Sequence, residues 1–275
     1  MSSISVIIPC YNEAESIERT IVRVVDASTH EFLQRIIVVD GGSSDGTVQI
    51  LETLTQKYSK LVSFVCLDRP SRGRQLITGA NMASSAILLF LHADTLLPQK
   101  WDRAIVQSFA ARKDQHYLIG CFQLSLPPPL TTSLFVMVWS ANLRAKVAHL
   151  PYGDQAYFVR RQEYENVGGF ADIPLMEDVD LLQRYKSYAS RQSRLAHISE
   201  YSFLCSIFSN PVQLLHLLQI TTCVFVLPLA VVTSPRRWKR KGVWWNTICN
   251  QFFILAWLAG ASPTTIYNWY YGKSI

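Results

Sequence analysis

Short runs of consecutive apolar residues alternate with amphipathic stretches through the first third of the chain. Val6 to Pro9, Arg35 to Val39, Leu61 to Leu67 and Ile87 to Leu91 predict strands, with helices near Glu13 to Val25, Gly46 to Tyr58 and Arg74 to Ser84 between them. Strands that are apolar on both faces and alternate with helices predict an α/β fold, a mainly parallel sheet flanked by helices. Such sheets bind ligands beyond the carboxyl ends of their strands. The polar residues gather there: Tyr11-Asn12-Glu13 after the first strand, Asp40 to Thr47 after the second, His92-Ala93-Asp94 after the fourth. That three loops coincide weighs more than any one of them.

Further on the pattern is mixed. A strand is predicted over Leu118 to Leu126, a break at Pro127 to Pro129, an apolar helix-like run over Thr131 to Val147, and an extended segment from Ala156 to Arg160 after Tyr152-Gly153-Asp154-Gln155. A turn at Gly168-Gly169-Phe170 precedes a helix over Glu177 to Tyr188, whose acidic start suits the helix dipole. Tyr201 to Pro235 contains no Asp, Glu, Lys or Arg, long enough for a membrane-spanning helix. Asn210, Pro211, Gln213, His216, Gln219 and Pro228 interrupt it, which favours an interfacial or buried hairpin. Arg236 to Lys241 then places five basic residues around Trp238, and Trp244 to Tyr271 forms an apolar, aromatic C-terminal helical region. The basic run suits anionic headgroups or a phosphate-bearing acceptor, and fits a solvated turn equally well. The chain divides into residues 1–195, a catalytic domain, and 196–275, an apolar insertion over about 197–226 followed by an acceptor-side or membrane-contacting segment.

Composition narrows the picture little. A 49% hydrophobic fraction over 275 residues supports a sizeable core and excludes disorder. A net charge of +6 suits phosphate-bearing partners. Nucleic acid is not among them, because the basic residues are not interleaved with aromatics along a sheet face or recognition helix. The six cysteines are scattered without metal-finger spacing and read as reduced core residues. The amino-terminal residues lack the basic region and cleavage site of a secretory signal, predicting a cytoplasmic chain, at or away from the cytoplasmic face of a membrane.

Candidate chemistry follows from the strand ends. Asp94 is placed to hold a divalent cation, Mn2+ or Mg2+, against a diphosphate, with His92 as a second ligand; a helix-capping Asp is the bland alternative. Asp40 can accept hydrogen bonds from a nucleobase or ribose, or serve as an ordinary turn residue. Arg69, Arg72 and Arg74 crowd the end of the third strand, where a guanidinium can grip a diphosphate. Asp178, beside Glu177 and Asp180 at a helix start, is the candidate base for an acceptor hydroxyl. Helical neighbours point about 100° apart, so the three acids cannot all face one site.

Taken together these strings resemble the family-2 glycosyltransferases of the GT-A (Rossmann-like) fold, and among them the selenodomain-associated transferase 2 group. The resemblance is carried in order by Ser5 to Pro9 with Asn12-Glu13, Val38 to Ser43, Gly73-Arg74-Gln75 with Gly79-Ala80-Asn81, and Leu91 to Thr95. It continues through Tyr152 to Gln155, Gly168 to Phe170, Met176 to Leu181, and Val232-Thr233-Ser234 with Arg236-Arg237-Trp238. It implies a nucleotide-diphosphate sugar donor, a divalent metal and inversion at the anomeric carbon. The nucleotide-sugar positions it implies are Pro9, Tyr11, Glu13, Asp40, Arg74, Asn81 and Ala93. Metal falls to Asp94 and His92, base chemistry to Asp178 and Glu177, and the acceptor side to Asp154, Arg237 and Trp238. His92 stands where the family carries the first Asp of its Asp-x-Asp motif, and about thirty residues, His197 to Val226, interrupt the family pattern. The acceptor is an unidentified hydroxyl, a lipid-linked one included, and peripheral membrane contact is expected. Two other readings compete: a catalytically silent membrane-associated adaptor on the same scaffold, and a nucleotidyltransferase, which expects a Gly-rich basic loop where Cys10 to Glu13 stands.

Overall fold

The computed structural model describes residues 2–199, 223–236, 238 and 242–272. The first half is built as the apolar pattern predicts: β1 (Ile4–Cys10), α1 (Ile17–Asp26), β2 (Leu33–Asp40), α2 (Thr47–Lys57), β3 (Val62–Cys66), α3 (Arg72–Met82) and β4 (Ile87–Phe90). These strands lie in the order β3-β2-β1-β4, all parallel. Helix α1 starts later than its periodicity suggests. The amides of Asn12, Glu13 and Ala14 are bound instead by Ser43 Oγ, Thr47 Oγ1 and Asp45 Oδ2 of the loop after β2, which keeps that backbone out of the helix.

The second half is mixed rather than parallel. It comprises β5 (Thr95–Leu96), α4 (Trp101–Ala110), β6 (Ile119–Ser125), α5 (Thr132–Val147), β7 (Tyr157–Arg160), α6 (Arg161–Asn166), α7 (Glu177–Ser199), β8 (Val224–Thr233), α8 (Val243–Leu258) and α9 (Pro263–Tyr271). The sheet continues past β4 as β7-β6-β8-β5, with β7 antiparallel to both neighbours, β8 parallel to β6 and β5 antiparallel to β8. Residues 224–233, read from sequence as part of a charge-free hairpin, are therefore a sheet strand, and Pro228 is tolerated at a register shift opposite Cys121 to Gln123. Residues 200–222, which hold most of the expected insertion, lie outside the described residues. No helix among the described residues is long and apolar enough to cross a membrane.

Alternate residues of the central strands feed two cores, as the period-two pleat requires. Val6 and Ile8 pack with Ile17, Ile21, Trp101 and Phe109 on one face; Ile7 and Val39 pack with Leu76, Tyr157, Leu181 and Tyr185 on the other. A smaller cluster joins Leu124 and Leu126 to Leu134, Met137 and Ala141 of α5 and to Trp238. Among the described residues the cysteines are unpaired, and burial pushes the Cys223 thiol up to about 11.

Candidate active site

The carboxyl ends of β1, β2 and β4 form one rim, held from behind. Gln75 Nε2 of α3 donates to the carbonyls of Cys10 and Val39 (2.7 and 2.8 Å), and Thr20 Oγ1 of α1 donates to the carbonyl of Ala93 (2.8 Å). Pro9 is tolerated in β1 because its side of the strand faces beyond the last residue pairs with β4, so its missing N–H costs no ladder bond. Asn12 adopts a left-handed backbone and its Oδ1 accepts from the Ser44 amide, locking the first loop to the second.

Arg72, the first residue of α3, is the centre of one charge cluster. Its Nε lies 2.9 Å from Glu177, its Nη2 lies 3.6 Å from Asp178, and Nη2 also donates to His92 Nε2, which as the acceptor carries no proton. Burial alone would lower the Arg72 pKa, but Asp178, Glu177 and Asp154 outweigh it and raise it above the ordinary value. Met176, with a left-handed φ of 72°, turns the chain into α7 so that Glu177 and Asp178 enter this cluster. Asp180 instead pairs with Arg184 on the same helix, in keeping with the angular argument.

Asp178 is fixed from a second side by the Gly153 amide, which donates to its Oδ2 at 2.8 Å. Position 153 has no room for a side chain: a Cβ there would lie 2.4 Å from Arg72 Nη2 and 2.6 Å from Asp178 Oδ2. Gly153→Ala is therefore expected to displace the carboxylate or the guanidinium and to destabilise the fold by about 1–3 kcal/mol, read from the Tm. An unchanged Tm would show that the cluster accommodates the added methyl group.

Arg236, just after β8, centres a second cluster. Its Nη2 pairs with Glu13 and lies 3.4 Å from Asp94, while Glu15 stands 4.0 Å from Nη1. Burial again opposes the charge, and the bond to Glu13 and the field of Asp94 overcome it, raising the pKa. His92 and Asp94, two residues apart, thus serve different clusters: His92 faces Arg72 and Asp94 faces Arg236.

A cavity of about 250 Å3 opens on the first cluster. Its polar wall is Arg72, His92, Asp154, Glu177 and Asp178, and its apolar wall is Trp238 with Phe253 and Ile254 of α8 and Tyr270 of α9. A larger, shallower groove lies at the amino ends of the strands near Ser3, Lys113 and Arg160. Arg160 there is already committed to Glu163 and to the carbonyls of Gln115 and Arg112.

The sequence-selected residues divide accordingly. Glu13, His92, Ala93, Asp94, Asp154, Glu177, Asp178 and Trp238 come together at this end, with Pro9 and an exposed Tyr11 on the rim. Asp40 reaches the rim but is fully buried, its oxygens bound by the Gly42 and Ser43 amides and the Ser43 hydroxyl. Arg74 pairs at the surface with Asp172 instead of facing the cavity; one turn position separates it from Arg72. Asn81 is exposed in the last turn of α3, about 13 Å along the helix from Arg72, at the far end of the strands. Arg237 lies outside the described residues. Arg72, Gly153 and Arg236 were not selected from sequence, although Arg72 stands in the crowded arginine loop and the other two within strings that carried the resemblance.

Residues 5–124 match the glycosyl transferase family 2. The chain is similar to glycosyltransferase AglE of Haloferax volcanii, 35% identical over 36% of this chain and 32% of that protein. It is also similar to the undecaprenyl-phosphate 4-deoxy-4-formamido-L-arabinose transferase of Proteus mirabilis, 30% identical over 36% of this chain and 31% of that protein. The matches span about a third of the length of these relatives. In structure it is similar to GalNAc-T7 bound to UDP, GalNAc and Mn2+, with a TM-score of 0.58 at 14% identity, covering 85% of this chain and 44% of that one.

Proposed function

We propose, from the match of residues 5–124 to the glycosyl transferase family 2 and the GT-A fold, that the chain moves a sugar from a nucleotide-diphosphate sugar to an acceptor hydroxyl with inversion at the anomeric carbon. One observation carries the reading. The strand-end acids form two separate clusters, Asp94 with Glu13 around Arg236 and Asp178 with Glu177 around Arg72, and the second opens on a cavity. Inverting transfer needs such a division, since the leaving diphosphate departs on one side of the sugar while the hydroxyl loses its proton on the other. Asp94 serves the diphosphate side, bordered by Pro9, Tyr11 and Glu13. Asp178 takes the proton of the acceptor hydroxyl, and Arg72 and Gly153 hold it in position. Glu177 orients Arg72.

A divalent cation fits the cluster of Asp94 in a limited way. No group of three or more His, Cys, Asp or Glu among the described residues stands together to hold one. One carboxylate suffices, however, where Mg2+-like ions complete their shells with substrate phosphates and water. Asp94 is the residue to hold it, and the cation would supply positive charge to the departing diphosphate. Arg236 now holds the place of counter-charge between Asp94 and Glu13. His92, turned to Arg72, contributes by orienting that arginine. The aromatic wall of the cavity suits an acceptor with an apolar portion, and the name of the Proteus mirabilis relative supports a lipid-linked class.

Thermal unfolding across nucleoside diphosphates with and without Mn2+ tests the donor side. A matching diphosphate at a hundredfold excess over its Kd should add about 2.7 kcal/mol, which corresponds to a Tm rise on the order of 5–10 °C for a chain this size. Asp94→Asn should remove the Mn2+-dependent part of that rise, and Asp178→Asn should leave it intact. Absence of stabilisation by every diphosphate, together with no diphosphate release from the corresponding sugars, would refute the reading.

A further inference from the structure

Two helices present apolar surface to both sides. The inner side of α5, with Leu134, Met137 and Ala141, packs in the small core with Trp238, while Phe135, Trp139, Leu143 and Val147 repeat every four residues on its outer side and are 44–70% exposed. Helix α8 does the same. Its Phe253 and Ile254 line the cavity, and Trp244, Trp245, Ile248, Phe252 and Leu255 are 54–65% exposed. Helices α5 and α8 pack together, and Phe252 continues onto Trp269 of α9, so these outer sides form one surface. A surface helix of a water-soluble face would carry polar residues at these positions.

The segments that build this surface carry charges of one sign in the sequence. Residues 115–153 and 201–275, which contain α5, α8 and α9, include no Asp or Glu, whereas Arg144 and an exposed Lys146 end α5. The six Lys and Arg of residues 201–275 equal the entire net charge of +6, residues 1–200 being balanced. Five of the six lie in the sequence between β8 and α8, and of these Arg236 is already paired with Glu13 and Asp94. From the tryptophan-rich face and the acid-free, basic sequence of the segments that build it we infer that α5, α8 and α9 form a docking surface for an anionic lipid bilayer, on which the chain lies without crossing it. Indole rings favour the boundary between headgroups and acyl chains, and basic residues add attraction to anionic lipid. The 16 residues of α8 reach about 24 Å, less than the hydrocarbon thickness. A second copy is the poorer occupant, because two such faces would bring like charges together.

Docking does not require the catalytic reading. If that reading holds, docking brings the cavity behind α8 to the headgroup layer, where a lipid-linked acceptor would be presented.

The test uses the full chain without donor. It should float with vesicles of mixed phosphatidylglycerol and phosphatidylcholine, less with phosphatidylcholine alone or in high salt, and brominated lipid should quench its tryptophan emission. Ile248→Glu with Phe252→Glu should weaken vesicle affinity about tenfold or more, with melting curve and near-ultraviolet dichroism preserved; Phe135→Glu on α5 is an independent second variant should the first not fold. Four outcomes would overturn the inference. One is a wild-type chain that does not float, meaning the surface has no affinity for lipid; another is folded variants that float as well as it does. A third is loss, in the variants, of a concentration-dependent dimer formed by a chain that ignores vesicles, and a fourth is tryptophans shielded from acrylamide before lipid is added and unchanged after; either would place a second copy or the chain itself on the face. Loss of nucleotide binding with flotation intact would count against the catalytic reading only.

Discussion

Asp178→Asn is expected to lower turnover by about 10²–10⁴-fold, the range a positioned proton acceptor contributes. The substitution keeps the size of the side chain, and the amide oxygen of Asn can still accept from the Gly153 N–H that now reaches Asp178 Oδ2 at 2.8 Å. What it removes is the ability to take a proton. Diphosphate release from the donor sugar, with water as acceptor, reads the effect before the natural acceptor is known. The donor-induced Tm rise should be unaltered, because Asp94 and its neighbours around Arg236 form a separate cluster. Full turnover by Asp178→Asn would remove Asp178 from the mechanism.

The second large effect concerns Arg72→Met. Glu177 is 4% and Asp178 17% exposed at the side chain, and Arg72 is the cation that stands against both. Breaking a buried pair by removing one partner costs about 3–5 kcal/mol. A third of the Arg72 side chain is exposed, so solvent screening reduces this to about 2–4 kcal/mol. The Tm should then fall on the order of 5–10 °C, and a change within roughly a degree would sink the proposal that this cluster is held by Arg72. Arg72→Lys should recover only part of the loss, since an ammonium cannot span Glu177, Asp178 and His92 as a planar fork does. The sign of the pH dependence is also set. Arg72 has its pKa raised in the folded chain, so its contribution is fully present below the ordinary arginine pKa and is lost only at higher pH. Between neutrality and pH 9 the difference between wild type and variant should not change on the arginine's account.

How far these groups could be read in advance depends on how local the signal is. Elements β1 to β4 and α1 to α3 were legible within a few residues because each is announced by its own apolar period and by the polar loop that ends it. Asp94 and Asp178 were legible for the same reason, as acids at a strand end and at a helix start. The choice between Arg72 and Arg74 was not. Both sit in the first turn of α3, and they differ only in what arrives from elsewhere: α7 and Gly153 in front of Arg72, the Asp172 loop in front of Arg74. Asp40 was chosen for its place after β2, yet its carboxylate is consumed by its own turn, which short-range composition does not reveal. Helix α4 and strand β8 were missed, the latter because a charge-free stretch reads alike as strand, hairpin or buried helix.

Sequence alone therefore determined the α/β order of the first half, the end of the sheet at which its polar loops gather and the acids available there, all consequences of periodicities and turns that a few residues carry. Tertiary structure alone decided the mixed second half of the sheet, the partition of those acids between Arg72 and Arg236, and the wall that α8 and α9 give the cavity. Those depend on contacts between residues tens to hundreds of positions apart, such as Glu13 with Arg236. The cost of burying a charge selects such partners in space, and distance along the chain does not enter it.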